Sequence, residues 1–208
     1  MQLYFAPFAA SFACRALAYE LGLELEYLQV DRFSKAMADG SDYRAVYAPA
    51  FVPALRLDDG RLLTENPVVL AYLASLVPAE KRVLEDSLEV RQWLSYIATE
   101  LHKAIFHPLF DAHAPPEVKA YALVRAESRL AHIEDHLAAR HAAGQAFLGD
   151  ALSPADFYLA TMLMWTRSTP IHLREQYPAL ARFSAMMMER PSMKRARHDE
   201  APLYAAAS

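Results

Sequence analysis

The hydropathy pattern of this chain changes once along its length, and that change limits the architecture more than any single motif. Residues 1–78 alternate short β-prone runs with helical runs that are apolar on one face. From Ser87 onward the periodicity is helical almost throughout. In the first part, Gln2 to Phe5 reads as a strand, Ser11 to Leu21 as a helix stopped by Gly22, and Glu26 to Val30 as a second strand. Strand, short helix and strand imply a right-handed crossover and a parallel pair. After a loop from Asp39 to Pro49, Ala54 to Leu57 and Arg61 to Thr64 flank Asp58-Asp59-Gly60, the turn chemistry of a β-hairpin. Asn66-Pro67 then opens a helix, with Asn66 as the expected cap and Val68, Val69, Tyr72, Leu73 and Leu76 as apolar positions. A βαβ unit followed by ββα suits a four-stranded mixed sheet with helices on its faces.

The charged run at residues 79–85 reads as a link between domains. Beyond it, Val90, Trp93, Leu94, Ile97 and Leu101 form one apolar stripe. Further helices are expected from about Pro116 to His141, from near Ser153, and from about Pro178 to Arg190. Leu152-Ser153-Pro154-Ala155-Asp156-Phe157 has serine at the N-cap, proline at N1 and an acid at N3. It reads as a capping box with a hydrophobic staple, not as a catalytic pair.

Composition removes several functions. A single cysteine excludes an intramolecular disulfide and a cysteine-based zinc cluster. Five dispersed glycines leave no phosphate loop, and a net charge of −4 provides no footprint for a nucleic-acid backbone. The start lacks a basic n-region, and no long uncharged apolar run spans a membrane, so a cytoplasmic protein is expected.

Helix starts are where this chain can present free N–H groups to a ligand. Ser11 stands where free N–H groups and the helix dipole favour an anion; it is either a simple N-cap or a hydroxyl donor to a bound thiolate or carboxylate. Cys14 follows at i+3 and reads as buried and inert. Val52-Pro53 precedes the third strand, and Glu65-Asn66 sits at the second helix start. His102, His107 and His113 are spaced by five and six residues, which does not bring them to one helical face, so no metal site is expected. Phe106, Phe110 and Trp165 are either core or the wall of an apolar pocket.

Taken together, these residues resemble the glutathione S-transferase family over nearly the whole chain. The resemblance rests on Leu3-Tyr4, the Ser11 helix start, Val52-Pro53-Ala54-Leu55 and Leu63-Thr64-Glu65-Asn66. Ser153-Pro154-Ala155-Asp156 and the ending from Tyr177-Pro178 to Arg190-Pro191-Ser192 add to it. It implies a thioredoxin-like α/β domain over 1–78 followed by an all-helical domain over 86–208. Glu100-Leu101-His102-Lys103 is similar to the bacterial beta class, whose cysteine position is Ala10 here; the run from Ser11 through Cys14-Arg15-Ala16 resembles the serine-using theta class. The implied activity is conjugation of the glutathione thiolate to a small hydrophobic electrophile, with Ser11 stabilising the thiolate. Phe51, Val52, Pro53, Glu65, Asn66 and His102 would contact glutathione. Phe8, Ala10, Phe106, Phe110 and Trp165 would line the electrophile pocket. The family also implies a homodimer, with no metal and no nucleic-acid or membrane partner. Ala10 and Ala50-Phe51 depart from the family pattern and motivate a rival, a non-catalytic binding protein; thiol reduction by Cys14 is a second alternative.

Overall fold

Strand β1 (Gln2–Phe5) runs parallel to β2 (Glu26–Gln29), and the segment between them forms helix α1 (Ser11–Glu20) in the computed structural model, which describes residues 1–77 and 87–206. The expected link at 79–85 lies outside the described residues. Helix α1 ends as the position of Gly22 predicts. Gly22 takes φ +67°, its N–H reaches the Tyr19 carbonyl, and the Leu23 N–H reaches Ala18, the two bonds of a Schellman cap. The hairpin forms from β3 (Ala54–Arg56) and β4 (Leu62–Thr64), turning at Gly60 with φ +87°. Strand order is β2-β1-β3-β4, and helix α2 (Asn66–Ser75) follows. Tyr4 pairs with Ala54 and Ala54 with Thr64, so the exits of β1 and β4 share one end of the sheet with the entry of β3.

The first compact unit also contains the C-terminal helix. Residues 190–206, expected within the helical domain over 86–208, cluster with the sheet instead. This helix, α9 (Pro191–Ala206), packs on α1. Its buried positions include Met193, Ala196 and Glu200, at i, i+3 and i+7, and one of them is a carboxylate, which hides the helix from an apolar-period search. Glu200 is fully buried 3.1 Å from the Arg15 guanidinium, which lies 4.0 Å from the ring centres of both Phe5 and Tyr27. Around this pair, the Tyr19 hydroxyl donates to Asp199 at 2.7 Å, and Glu20 pairs with Arg190.

Burial pushes the Glu200 carboxyl up to about 7, because desolvation outweighs the attraction of Arg15 and the hydrogen bond from Phe8. The folded chain therefore holds a proton that the unfolded chain has lost above the ordinary value of 4.5. The stability this contributes is complete below that value and is lost as pH rises through the folded value. Glu200→Gln removes the slope, so the melting temperature of the variant minus that of the parent should grow from about pH 5 to about pH 8. A constant difference across the range contradicts this.

The second unit is helical. Helix α3 (Leu88–Tyr96) continues into a π-helical stretch, Ile97–Phe106, then α4 (His107–Phe110). The expected ordinary helix through Leu101 is thus wound more widely: the His107 N–H bonds the His102 carbonyl, five residues back. Buried Ile97, Leu101 and Ile105, each four apart, lie on one face, as they would in an ordinary helix. Helix α5 (Pro116–Ala142) follows, then α6 (Pro154–Trp165), α7 (Leu173–Gln176) and α8 (Pro178–Met188). Ser153 and Asp156 make the predicted capping box. Glu134 of α5 accepts the Ala179 and Leu180 N–H groups at 2.8 Å each, capping α8. No helix among the described residues is long and apolar enough to cross a membrane.

Candidate active site

The turn from Ala6 to Ala10 carries β1 into α1 and is held in an unusual shape. Phe8 adopts φ 55°, a conformation costly for a bulky residue, and its N–H is held by Glu200 at 2.6 Å. Its ring packs on Phe12 and Tyr204 at 5.8 and 5.4 Å between centres. Ala10, not Ser11, is the N-cap: it is αR, and no side chain caps the helix. Ser11 is the first helical residue, so its expected capping role is replaced by another. The fully buried hydroxyl accepts from the Ala6 N–H and donates to the Ala6 carbonyl, both at 3.3 Å, bracing the turn. A hydroxyl has one proton, and here it is committed to Ala6. The N–H groups of Ala10 and Ser11 have no partner among the described residues, as a helix start requires.

Helix α2 starts in a similar way. Glu65 is its N-cap at φ 67° and makes no side-chain cap, and Asn66 is the first helical residue rather than the expected cap. Asn66 is 4% exposed, and its Oδ1 accepts from the Cys14 thiol at 3.0 Å. Its Nδ2 is buried with no partner. An unpaired buried donor costs about 1–3 kcal/mol, which a bound acceptor would recover. Cys14 is itself fully buried, and burial pushes its thiol well above the ordinary value of 9.0, which leaves it protonated and unreactive.

Val52-Pro53 is a cis peptide, and Val52 lies outside β3 with no backbone hydrogen bond to the described residues. Phe51 beside it is 55% exposed, while its carbonyl accepts from the Tyr43 hydroxyl at 3.1 Å. The strand register brings Ala10 and Ser11, Val52 and Pro53, and Glu65 and Asn66 to the same end of the sheet. That end offers unpaired N–H groups from two helix starts and the unpaired backbone of Val52, a set suited to a short anionic peptide.

The remaining predicted residues belong to the helical unit. His102 shares a hydrogen bond with the Tyr158 hydroxyl at 2.7 Å, and its ring meets Trp165 edge-on. Burial lowers its imidazole to about 4, so it is neutral at physiological pH. Phe106 is buried, Phe110 stacks on it at 6.1 Å, and Trp165 meets both rings edge-on at 5.6 Å. Phe106 is therefore core, and Phe110 lies at the edge of that core, 37% exposed. Sequence reading missed Glu200 and Tyr158, which hold Phe8 and His102; an i, i+3, i+7 search that admits a carboxylate would have flagged the first.

Comparison with known proteins gives a consistent picture. Residues 93–191 match the family model for the glutathione S-transferase C-terminal domain. The chain is 37% identical over 198 residues to glutathione S-transferase GstA of Escherichia coli O157:H7, covering 93% of this chain and 96% of that one. Among solved structures, a sphingomonad glutathione S-transferase complexed with glutathione is similar at TM-score 0.88 and 34% identity, covering 97% of this chain and 99% of that one. The bacterial beta class glutathione S-transferase of Sphingomonas chungbukensis is similar at TM-score 0.87 and 31% identity, covering 96% and 98%.

Proposed function

The chain belongs to the glutathione S-transferase family and is a glutathione transferase with glutathione as its co-substrate, and from that premise we propose how this particular site works. Glutathione lies at the shared end of β1, β3 and β4. Its γ-glutamyl carboxylate takes the unpaired Asn66 amide and the α2 start. Its peptide backbone runs beside Val52. Its thiol meets the α1 start, where Ala10 stands in place of the cysteine of the beta class.

The observation that carries this reading is the buried, unpartnered Nδ2 of Asn66 at a helix start. The sulfur is stabilised by the N–H groups of Ala10 and Ser11 and by the α1 dipole, with the Ser11 hydroxyl bracing the turn. A helix terminus contributes up to about 2 kcal/mol to a nearby charge. One unit of pKa is about 1.4 kcal/mol, so the thiol falls by roughly one unit from about 8.5. That yields a modest thiolate fraction at neutral pH and needs no cysteine. The second substrate is a small hydrophobic electrophile. Family membership extends the proposal to a cytoplasmic homodimer. Reduction chemistry through Cys14 is disfavoured by its burial.

Ser11→Ala tests the division of labour. It should lower the melting temperature by a few degrees, through loss of about 1 kcal/mol of hydrogen bonding, and keep kcat/KM with a generic aryl halide within about fivefold. A hundredfold loss of kcat/KM would return the sulfur to the Ser11 hydroxyl.

A further inference from the structure

The single cysteine is not placed as a nucleophile, yet its thiol makes one directional contact. Cys14 Sγ lies 3.0 Å from Asn66 Oδ1, joining the first turn of α1 to the first residue of α2. An asparagine amide can be turned end for end, exchanging its two donors for an acceptor. What fixes its sense is the chemistry of the neighbour. A protonated thiol is a weak donor and a weak acceptor, and here its proton meets the stronger partner, the amide oxygen. The amide nitrogen, with its two protons, is then the end left over, and it is buried and without a partner.

We infer that Cys14 is a positioning residue: its thiol fixes the Asn66 side chain so that the amide presents its donors, and not its oxygen, to the γ-glutamyl carboxylate. This rests on the reading of Asn66 given above. Were the amide reversed, its oxygen would meet a carboxylate, replacing an attraction by a repulsion between two acceptors. Burial supports the arrangement, because it holds the thiol in its protonated form across neutral pH. Selection of glutathione over peptides without the γ-glutamyl carboxylate thus depends on a thiol that never touches the substrate.

The test measures KM and kcat for glutathione and for 4-aminobutyryl-cysteinyl-glycine, which lacks that carboxylate, in the intact protein. Cys14→Ala should raise KM for glutathione about tenfold with little change in kcat, and should leave KM for the analogue near the parent value. Cys14→Val fills the space without a donor and should behave like alanine, so a packing defect in one variant does not decide the matter. Cys14→Ser supplies a donor and should restore most of the discrimination. Adding Cys14→Ala to Asn66→Ala should raise KM no further. The proposal is overturned if Cys14→Ala and Cys14→Val raise KM for both peptides alike, if Cys14→Ser does not recover discrimination, or if the two sites add independently. If Asn66→Ala itself leaves discrimination intact, the Asn66 reading falls and takes this proposal with it. An effect at Asn66 with none at Cys14 overturns the positioning role alone.

Discussion

Asp156→Ala lowers the melting temperature by roughly 6–20 °C, a large effect for one side chain. Asp156 is fully buried and accepts hydrogen bonds from the Leu148 N–H at 2.9 Å, the Ser153 N–H at 2.8 Å and the Ser153 hydroxyl at 2.7 Å. It closes the first turn of α6 and ties the preceding loop to it. Alanine leaves these donors buried without acceptors, at about 1–3 kcal/mol each before relaxation, so a net loss of about 3–5 kcal/mol is expected. For a chain of this size each kcal/mol moves the midpoint by about 2–4 °C. Asp156→Asn keeps one acceptor oxygen and should cost about half as much. Ser153→Ala removes only one cap partner, about 1 kcal/mol. Scanning calorimetry of the three variants checks the order; an alanine variant as stable as the parent would show that water or a rearranged loop serves those donors.

The largest functional effect is expected at Asn66. Asn66→Ala deletes the unpaired donor and leaves the Cys14 thiol without its acceptor. A hydrogen bond to a charged group is worth about 1.5–3 kcal/mol, so KM for glutathione should rise on the order of ten- to a hundredfold. The turnover rate at saturation should change much less, because the contact is to a remote part of the substrate and is present in ground and transition states alike. Steady-state kinetics at saturating electrophile separates the two. A fall in kcat with KM unchanged would place Asn66 at the sulfur instead.

The outline of the first unit could be read from the chain because its turns rest on residue-specific chemistry. Gly22 and Gly60 both take positive φ, which glycine adopts without strain, and both mark element ends as expected. The α6 start was legible for the same reason, since a capping box has fixed offsets. Ser11 and Asn66 lie at helix starts as expected, but neither side chain caps its helix. Whether such a residue caps a helix depends on the backbone just before it. Ala10 is αR and Glu65 has φ 67°, so each helix begins one residue earlier than the side chains suggested. Neither torsion is encoded in the identity of the alanine or the glutamate. The hold on Phe8 was invisible because Glu200 lies 192 residues away, on a helix whose buried face includes a charge. The wide winding of Ile97–Phe106 was missed since apolar residues four apart also fit an ordinary helix.

The central claim is that the α1 start, without a catalytic cysteine and without the Ser11 hydroxyl, lowers the pKa of the glutathione thiol. Titrating thiolate absorbance in the ultraviolet for the protein–glutathione complex measures this directly. The expected result is a bound thiol ionising roughly one unit below free glutathione, with Ser11→Ala retaining most of that shift. A bound thiol that titrates like the free peptide, or a shift abolished by Ser11→Ala, would contradict it.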